Sequence, residues 1–455
     1  MLATPEKGKA FAECAINNLV EFARLPLGRL LTEYPNTNHH PLYSLLASMS
    51  ISVLGESGAA LRLPAALMGT ASLWAFYRFA IMTTSRREAL LGTLLLTLSY
   101  HHVWFSQNAR GYSGLLLLTL LGTAAFLRLL RDPRAGWPAA AWYGGCMALA
   151  AYIHPTAVAV PAAHAIVLGA LALSRRKPGS PGLMRPLSGL LLAGGFGLLL
   201  YAPMLGQLIT ALTAANPQGA ETAWKSPAWM LFETARGLSA GLPGGGETLV
   251  LATVVLAAGV VSFFRRSPVL LALLLGPGLV TAAAILLLRH NLWPRFFFFS
   301  AGFAVLIALR GGFTLAGILF RGRGEAFATA GAVLLPRAWA PKQDFEAAAR
   351  MVERSRGPND AVVTVDLTVL PYRNWLGKDW AVVTDAGGLE AIERTHRRTW
   401  LLYTFPVRLA VVQPGIWQVL SDRYRRAAEF PGSLGGGTIV VMVTPSNSTS
   451  AQRHP

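Results

Sequence analysis

Nine apolar runs, each of about the length that crosses a bilayer, crowd the sequence between residues 59 and 320. A spanning helix needs roughly 17–25 mostly apolar residues. The runs near 59–82, 87–105, 111–130, 137–153, 155–174, 186–210, 247–264, 268–289 and 294–319 are of that order. Hydrocarbon offers no water to backbone polar groups, so such runs must fold as helices that satisfy their own hydrogen bonds. Only 14% of the 455 residues are charged and the mean hydropathy is +0.44, whereas soluble proteins carry roughly 25% charged residues. A wholly soluble protein and a disordered chain are excluded. Cys14 and Cys146 supply neither a disulfide framework nor a metal-ligand spacing. The expected fold is an α-helical polytopic membrane protein.

The net charge of +18 invites a nucleic-acid reading until the basic residues are located. Fifteen of them (Arg78, Arg86, Arg87, Arg128, Arg131, Arg134, Arg175, Arg176, Lys177, Arg185, Arg265, Arg266, Arg310, Arg321 and Arg323) fall on one side of the alternating spans. Six (Arg62, Arg110, Lys225, Arg236, Arg289 and Arg295) fall on the other. Loops rich in Lys and Arg stay in the cytoplasm, so most of the charge is topology signal and no nucleic-acid partner is expected. The outward side then carries the N-terminal stretch, the Gln107–Tyr112 loop, the Ile153-His154-Pro155 corner, the 211–246 loop and Arg289–Arg295. Loops held by a rigid scaffold are where binding and chemistry concentrate.

The composition divides the chain into an outward-facing N-terminal segment (1–58), a transmembrane bundle of about nine or ten helices (59–340), a small soluble α/β domain (341–445) and a polar, unfolded tail (446–455). Half of the acids, 11 of 22, lie after Ala340. There, Asp344–Arg356 reads as an amphipathic helix, and Ala361–Val365, Trp400–Tyr403 and Thr438–Val443 read as strands. A tenth crossing near 325–340 would carry the domain outward, although the segment is short and contains Pro336. Met1–Ala12 is polar, with no signal peptide. The expectation is that a first span is missing from this chain.

Several motifs stand in order along the chain: Arg24-Leu25-Pro26-Leu27-Gly28, Asn38-His39-His40-Pro41-Leu42-Tyr43, Arg62-Leu63-Pro64, Trp104-Phe105-Ser106-Gln107-Asn108-Ala109-Arg110-Gly111-Tyr112, Pro294-Arg295-Phe296 and Pro341-Lys342-Gln343-Asp344-Phe345. Together they resemble the bacterial branch of the protein O-mannosyltransferase superfamily, glycosyltransferase family 39, which includes aminoarabinose and Rhizobium-type lipopolysaccharide transferases. The resemblance implies a GT-C type bundle in the bacterial inner membrane with its active site on the periplasmic face. It also implies a polyprenyl-phospho-sugar donor and an envelope glycan, lipid or protein acceptor. The family's acidic pair in the first outer loop falls at Ala12-Glu13, where the Glu is present and the Asp is not.

Such a transfer needs a base for the acceptor hydroxyl and cations for the leaving phosphate. Glu13, at the family position, is the candidate base; otherwise it is a solvated charge near the chain terminus. Glu33 reads better as a helix-end charge. Arg110 and Tyr112 match the family's Arg-x-Tyr motif, and Arg295 matches its Pro-Arg-aromatic motif. A guanidinium fork grips phosphate in bidentate fashion, while a snorkelling anchor at a helix end is the alternative. His40 opens a short apolar helix over Leu42–Leu54, too short to span and suited to the interface. It is read either as a hydrogen-bonding group for donor or acceptor or as a structural helix start. His101, His102 and His154 are membrane-end histidines with no carboxylate at ligand spacing, so no metal is assigned, and a divalent-cation requirement stays open. Trp224 and Trp229 read as interfacial anchors. Two other classes compete with this reading. One is a non-catalytic relative that positions lipid-linked glycans, consistent with Ala12. The other, a transporter, predicts mid-membrane charges and broken helices in matching halves, whereas the sequence shows few buried charges and no two-half symmetry.

Overall fold

The computed structural model describes residues 25–34, 39–174, 183–213, 226–240, 245–288, 292–319, 343–431 and 437–445. They fall into two compact units, one within Leu19–Ala338 and one in the C-terminal part from Trp339. Glu13, Arg24, Trp224, the 325–340 segment, Pro341, Lys342 and the tail from Ser446 lie outside the described residues.

The first unit is a helical bundle. Among the described residues, six helices are long and apolar enough to cross a membrane: Gly58–Thr83, Tyr112–Arg131, Pro155–Ser174, Met184–Thr213, Pro268–Leu287 and Pro294–Ile318. Trp137–Ile153 and Gly245–Arg266 are further apolar helices. The run at 87–105 is two helices, Arg86–Leu98 and Tyr100–Ser106. The chain breaks at Ser99, which takes an extended conformation and caps the second helix by accepting from the His102 N–H. A Ser competes for backbone donors through its hydroxyl, so an apolar run is interrupted there without an apolar break.

Packing within the bundle buries aromatic and leucine side chains and uses glycine where helix backbones touch. Phe76 and Phe79 of Gly58–Thr83 and Leu115, Leu116, Leu120 and Phe126 of Tyr112–Arg131 are completely buried, and the Ser113 hydroxyl donates across to the Ala65 carbonyl at 2.9 Å. Between Gly245–Arg266 and Ala301–Leu319 the backbones meet: a Cβ at Gly259 would collide with the Ile307 carbonyl, and one at Gly311 with the Val255 carbonyl. Close backbone approach through small residues is how helices gain contact in lipid, where no hydrophobic drive separates side chains from solvent.

The basic residues that set the sidedness gather at one end. Arg131 donates to the Met82 carbonyl at 3.0 Å, Arg185 donates to the Pro133 carbonyl, and Arg128 pairs with Asp132. Deeper in, Arg310 Nη1 meets the buried Glu88 carboxylate at 2.7 Å while its Nε donates to Ser262 at 3.1 Å. Glu88 also closes a capping box with Ser85, so its charge is both paired and hydrogen-bonded, as a buried carboxylate requires.

The second unit is a small α/β domain. Helix Phe345–Ser355 starts at Asp344, whose side chain accepts from the Ala347 N–H. The sheet has five strands, β1 (Asp360–Thr364), β2 (Ala381–Val382), β3 (Arg398–Tyr403), β4 (Arg425–Phe430) and β5 (Ile439–Val443), in the order β2-β1-β3-β5-β4. β1 is parallel to β2 and β3, whereas β5 is antiparallel to β3 and β4. Alternate residues serve opposite faces: Val362, Trp400, Leu402 and Val441 pack under the first helix, and Val363, Leu401 and Val440 pack against Leu389, Leu409, Ile416 and Leu420.

A cationic and aromatic cluster at one end of the bundle

Opposite the basic end, five chain segments converge. The first leads into helix Pro41–Leu54, with His40 at its N-cap. Its approach is fixed by Gln207, which accepts from the Tyr34 N–H at 2.6 Å and donates to the Thr32 carbonyl at 3.2 Å. Tyr34 in turn lies 6.3 Å from the Tyr201 ring and 5.7 Å from that of His39. The second segment is the Gln107–Gly111 turn that carries Arg110 and delivers Tyr112 as the first residue of its helix. The third is the corner between Trp137–Ile153 and the 3-10 turn Pro155–Val158, occupied by His154. The fourth is the 3-10 turn Pro294–Ser300, which carries Arg295 and Phe296. The fifth, the helix start at Leu205, supplies Gln207.

These side chains meet. The His40 ring lies 5.2 Å from that of Tyr112 and 5.1 Å from that of His154, and the His154 ring lies 6.0 Å from Tyr112 and 5.2 Å from Phe296. The Arg295 guanidinium sits 4.8 Å from the Trp293 ring and 5.6 Å from the Phe296 ring, a cation–π arrangement. Gly111 makes the approach feasible: a Cβ there would collide with Ile153 and crowd His40 Nδ1 at 3.2 Å and Tyr43 Cβ at 3.4 Å.

The electrostatics are one-sided. Among the described residues neither Arg110 nor Arg295 has an ion-pair partner, and Arg295 Nε and His40 Nδ1 are buried with no hydrogen-bond partner. The histidines do not add to the positive charge. Burial, then the charges of His154, Arg110, His39 and Arg295, hold His40 well below its ordinary value. Burial and the two guanidiniums push His154 down to about 3, and burial pushes His39 down to about 4. The cluster therefore offers two permanent cations, neutral imidazoles and a phenol in an apolar frame, a set suited to an oxyanion.

Arg110, Arg295, His40 and Tyr112, singled out from the sequence, are thus brought together; Glu13 lies outside the described residues. Glu33 is an exposed helix-end charge in a bidentate pair with Arg29, at 2.7 and 2.8 Å. The sequence marks His154 as a membrane-end histidine and Gly111 and Phe296 as motif neighbours of Arg110 and Arg295, with no site role for any of the three. The one available signal for His154 was its place before a proline at a helix junction on the same side as Arg110.

Residues 38–206 match the family described as dolichyl-phosphate-mannose-protein mannosyltransferase. Over that stretch the resemblance holds. The matched segment includes His40, Arg110, Tyr112 and His154; Arg295 lies beyond it. Among solved structures, ArnT from Cupriavidus metallidurans in the apo state is 14% identical, with 96% of this chain and 93% of that chain covered and a TM-score of 0.38. The same protein bound to undecaprenyl phosphate is 13% identical over 98% and 94%, with a TM-score of 0.34. The archaeal oligosaccharyltransferase AglB from Archaeoglobus fulgidus, in complex with an inhibitory peptide and a dolichol-phosphate, is 11% identical over 96% and 71%, with a TM-score of 0.47. No curated protein sequence matches the chain.

Proposed function

We propose that the protein is a membrane glycosyltransferase that moves a sugar from a polyprenyl-phosphate donor to an envelope glycan, lipid or protein acceptor. The observation that carries this reading is the pair of guanidiniums, Arg110 and Arg295, without a carboxylate partner among the described residues at an aromatic-lined bundle end. The family match over 38–206 supports it. In the transfer, the acceptor oxygen bonds to the sugar's anomeric carbon as that carbon's bond to the phosphate oxygen breaks. The acceptor proton goes to a base and the electron pair leaves with the phosphate. Arg110 and Arg295 take up the growing phosphate charge, and their worth is greatest where water is excluded. His40 and Tyr112 line the donor site. Burial and the guanidiniums disfavour the imidazolium that proton uptake would create, so the histidines are poor bases here, and Glu13 is the candidate. We place the site on the periplasmic face of a bacterial inner membrane, on the side poor in basic loop residues.

The test is release of polyprenyl phosphate from labelled polyprenyl-phospho-sugars in proteoliposomes, with envelope glycans as acceptors. Wild type should turn over, and Glu13→Gln, which keeps shape and removes the base, should lose at least about a hundredfold, the lower range for general-base removal. Turnover that survives the substitution moves the base to another residue. A wild-type chain that binds the donors and never turns them over would favour the glycan-positioning relative, for which Ala12 in the acidic-pair position already speaks.

A further inference from the structure

His154 sits in the middle of the cluster with one ring nitrogen committed and the other unassigned. The Thr156 N–H donates to His154 Nδ1 at 3.3 Å, and Thr156 Oγ1 lies 2.8 Å from the same nitrogen. A backbone amide can only donate, so Nδ1 must present its lone pair and the proton of the neutral ring resides on Nε2. No protein group among the described residues hydrogen-bonds that Nε2–H. Around the ring stand His40, Tyr112 and Phe296, and the charges of Arg295 and Arg110 act on it.

We propose that His154 is a third binding group for the anion gripped by Arg110 and Arg295, donating its Nε2–H to a phosphate oxygen of the donor lipid. The inference rests on the function proposed above and assigns that site a residue whose proton position is set by the backbone. The two guanidiniums supply the charge, and a third cation beside them would be repelled. A neutral N–H adds a directed hydrogen bond without that repulsion. It also stays neutral across the physiological range, because burial and the neighbouring guanidiniums disfavour the imidazolium. No bond is made or broken at His154. Its part is to hold an oxygen in place while the sugar leaves, which is worth most when the donor is fixed before the reaction begins.

The rival explanation is that His154 only caps the 3-10 turn through Nδ1. Two substitutions separate the roles, because the Asn carboxamide reaches only as far as Nδ1, whereas the Gln carboxamide reaches the Nε2 position. Binding of a labelled polyprenyl phosphate to the full chain in lipid nanodiscs should stay within about threefold of wild type for His154→Gln. For His154→Asn and His154→Ala it should weaken at least about tenfold, the scale of one hydrogen bond to a charged group. Retention in Asn with loss in Gln would reduce His154 to a cap and overturn the proposal. Binding that falls in Arg295→Met and is indifferent to every His154 variant would overturn it alone. Absence of binding in wild type would overturn the proposed function as well. Histidine-selective 15N NMR of the wild type needs no variant: a neutral ring protonated on Nε2, shifting when the lipid phosphate is added, is expected. A ring protonated on Nδ1 would refute the assignment.

Discussion

Replacing Arg295 by Met removes a cation and keeps most of the side-chain volume, and the structure makes the expected effects on stability and on binding opposite in sign. Deleting one partner of a buried ion pair costs about 3–5 kcal/mol, because the other charge is left buried and uncompensated. Arg295 has no such partner among the described residues, its Nε is buried without a hydrogen bond, and Arg110 adds a like charge to the same cluster. What holds it is the cation–π contact with Trp293 at 4.8 Å and with Phe296 at 5.6 Å, about 0.5–2 kcal/mol. Desolvation of an unpaired ion costs several kcal/mol, so the free protein should be unchanged or stabilised by Arg295→Met. Binding of a lipid phosphate should weaken by about 1.5–3 kcal/mol, one charge-assisted hydrogen bond, which is roughly ten- to more than a hundredfold in Kd. Thermal melts in nanodiscs, with and without a polyprenyl phosphate, read both quantities. A variant that melts several degrees below wild type without ligand, and binds the lipid phosphate as wild type does, would make Arg295 a structural anchor and refute the reasoning.

Two further outcomes follow from the packing and the titrating groups. Gly311→Ala places a Cβ against the Val255 carbonyl, so it should lower the stability of the bundle by about 1–3 kcal/mol or more, read as a fall in the thermal midpoint, whereas Gly312→Ala, with open space around it, should not. His39, His40 and His154 have folded-state values below that of a free histidine. Between about pH 6.5 and pH 3 the unfolded chain therefore binds more protons than the folded one, and stability falls as the pH drops through that window. Melts at stepped pH should show this loss, and His40→Phe should flatten it; a stability profile level down to pH 4 would contradict the burial of these rings.

The bundle was legible in the sequence because hydropathy is a local property: a helix such as Pro268–Leu287 announces itself in its own residues. The break at Ser99 was not, because a hydroxyl that caps a helix leaves the apolar pattern intact. In the C-terminal domain β1, β3 and β5 read as strands, since their central residues are covered on both faces and form apolar runs. β4, with the sequence Arg-Arg-Ala-Ala-Glu-Phe, is an edge strand whose charges hid it; such charges on an edge discourage pairing with other chains. At the site, Arg110, Arg295, His40 and Tyr112 were singled out from motif order. Their convergence with His154 depends on which helix corners meet at one end of the bundle, and that is a property of the packed chain.

Arg295 and Arg310 belong to one continuous stretch, the 3-10 turn Pro294–Ser300 running into helix Ala301–Leu319. At about 2 Å per residue in the turn and 1.5 Å in the helix, roughly 25 Å of rod separates the two guanidiniums, close to the ~30 Å thickness of a bilayer's hydrocarbon layer. The lower one is latched to Glu88 and Ser262. The upper one is thereby set at a fixed depth, and sliding it along the membrane normal would first have to break the latch. The segment works as a measuring rod that sets the depth of Arg295 along the bundle; on the function proposed above, a lipid headgroup has to come to the arginine.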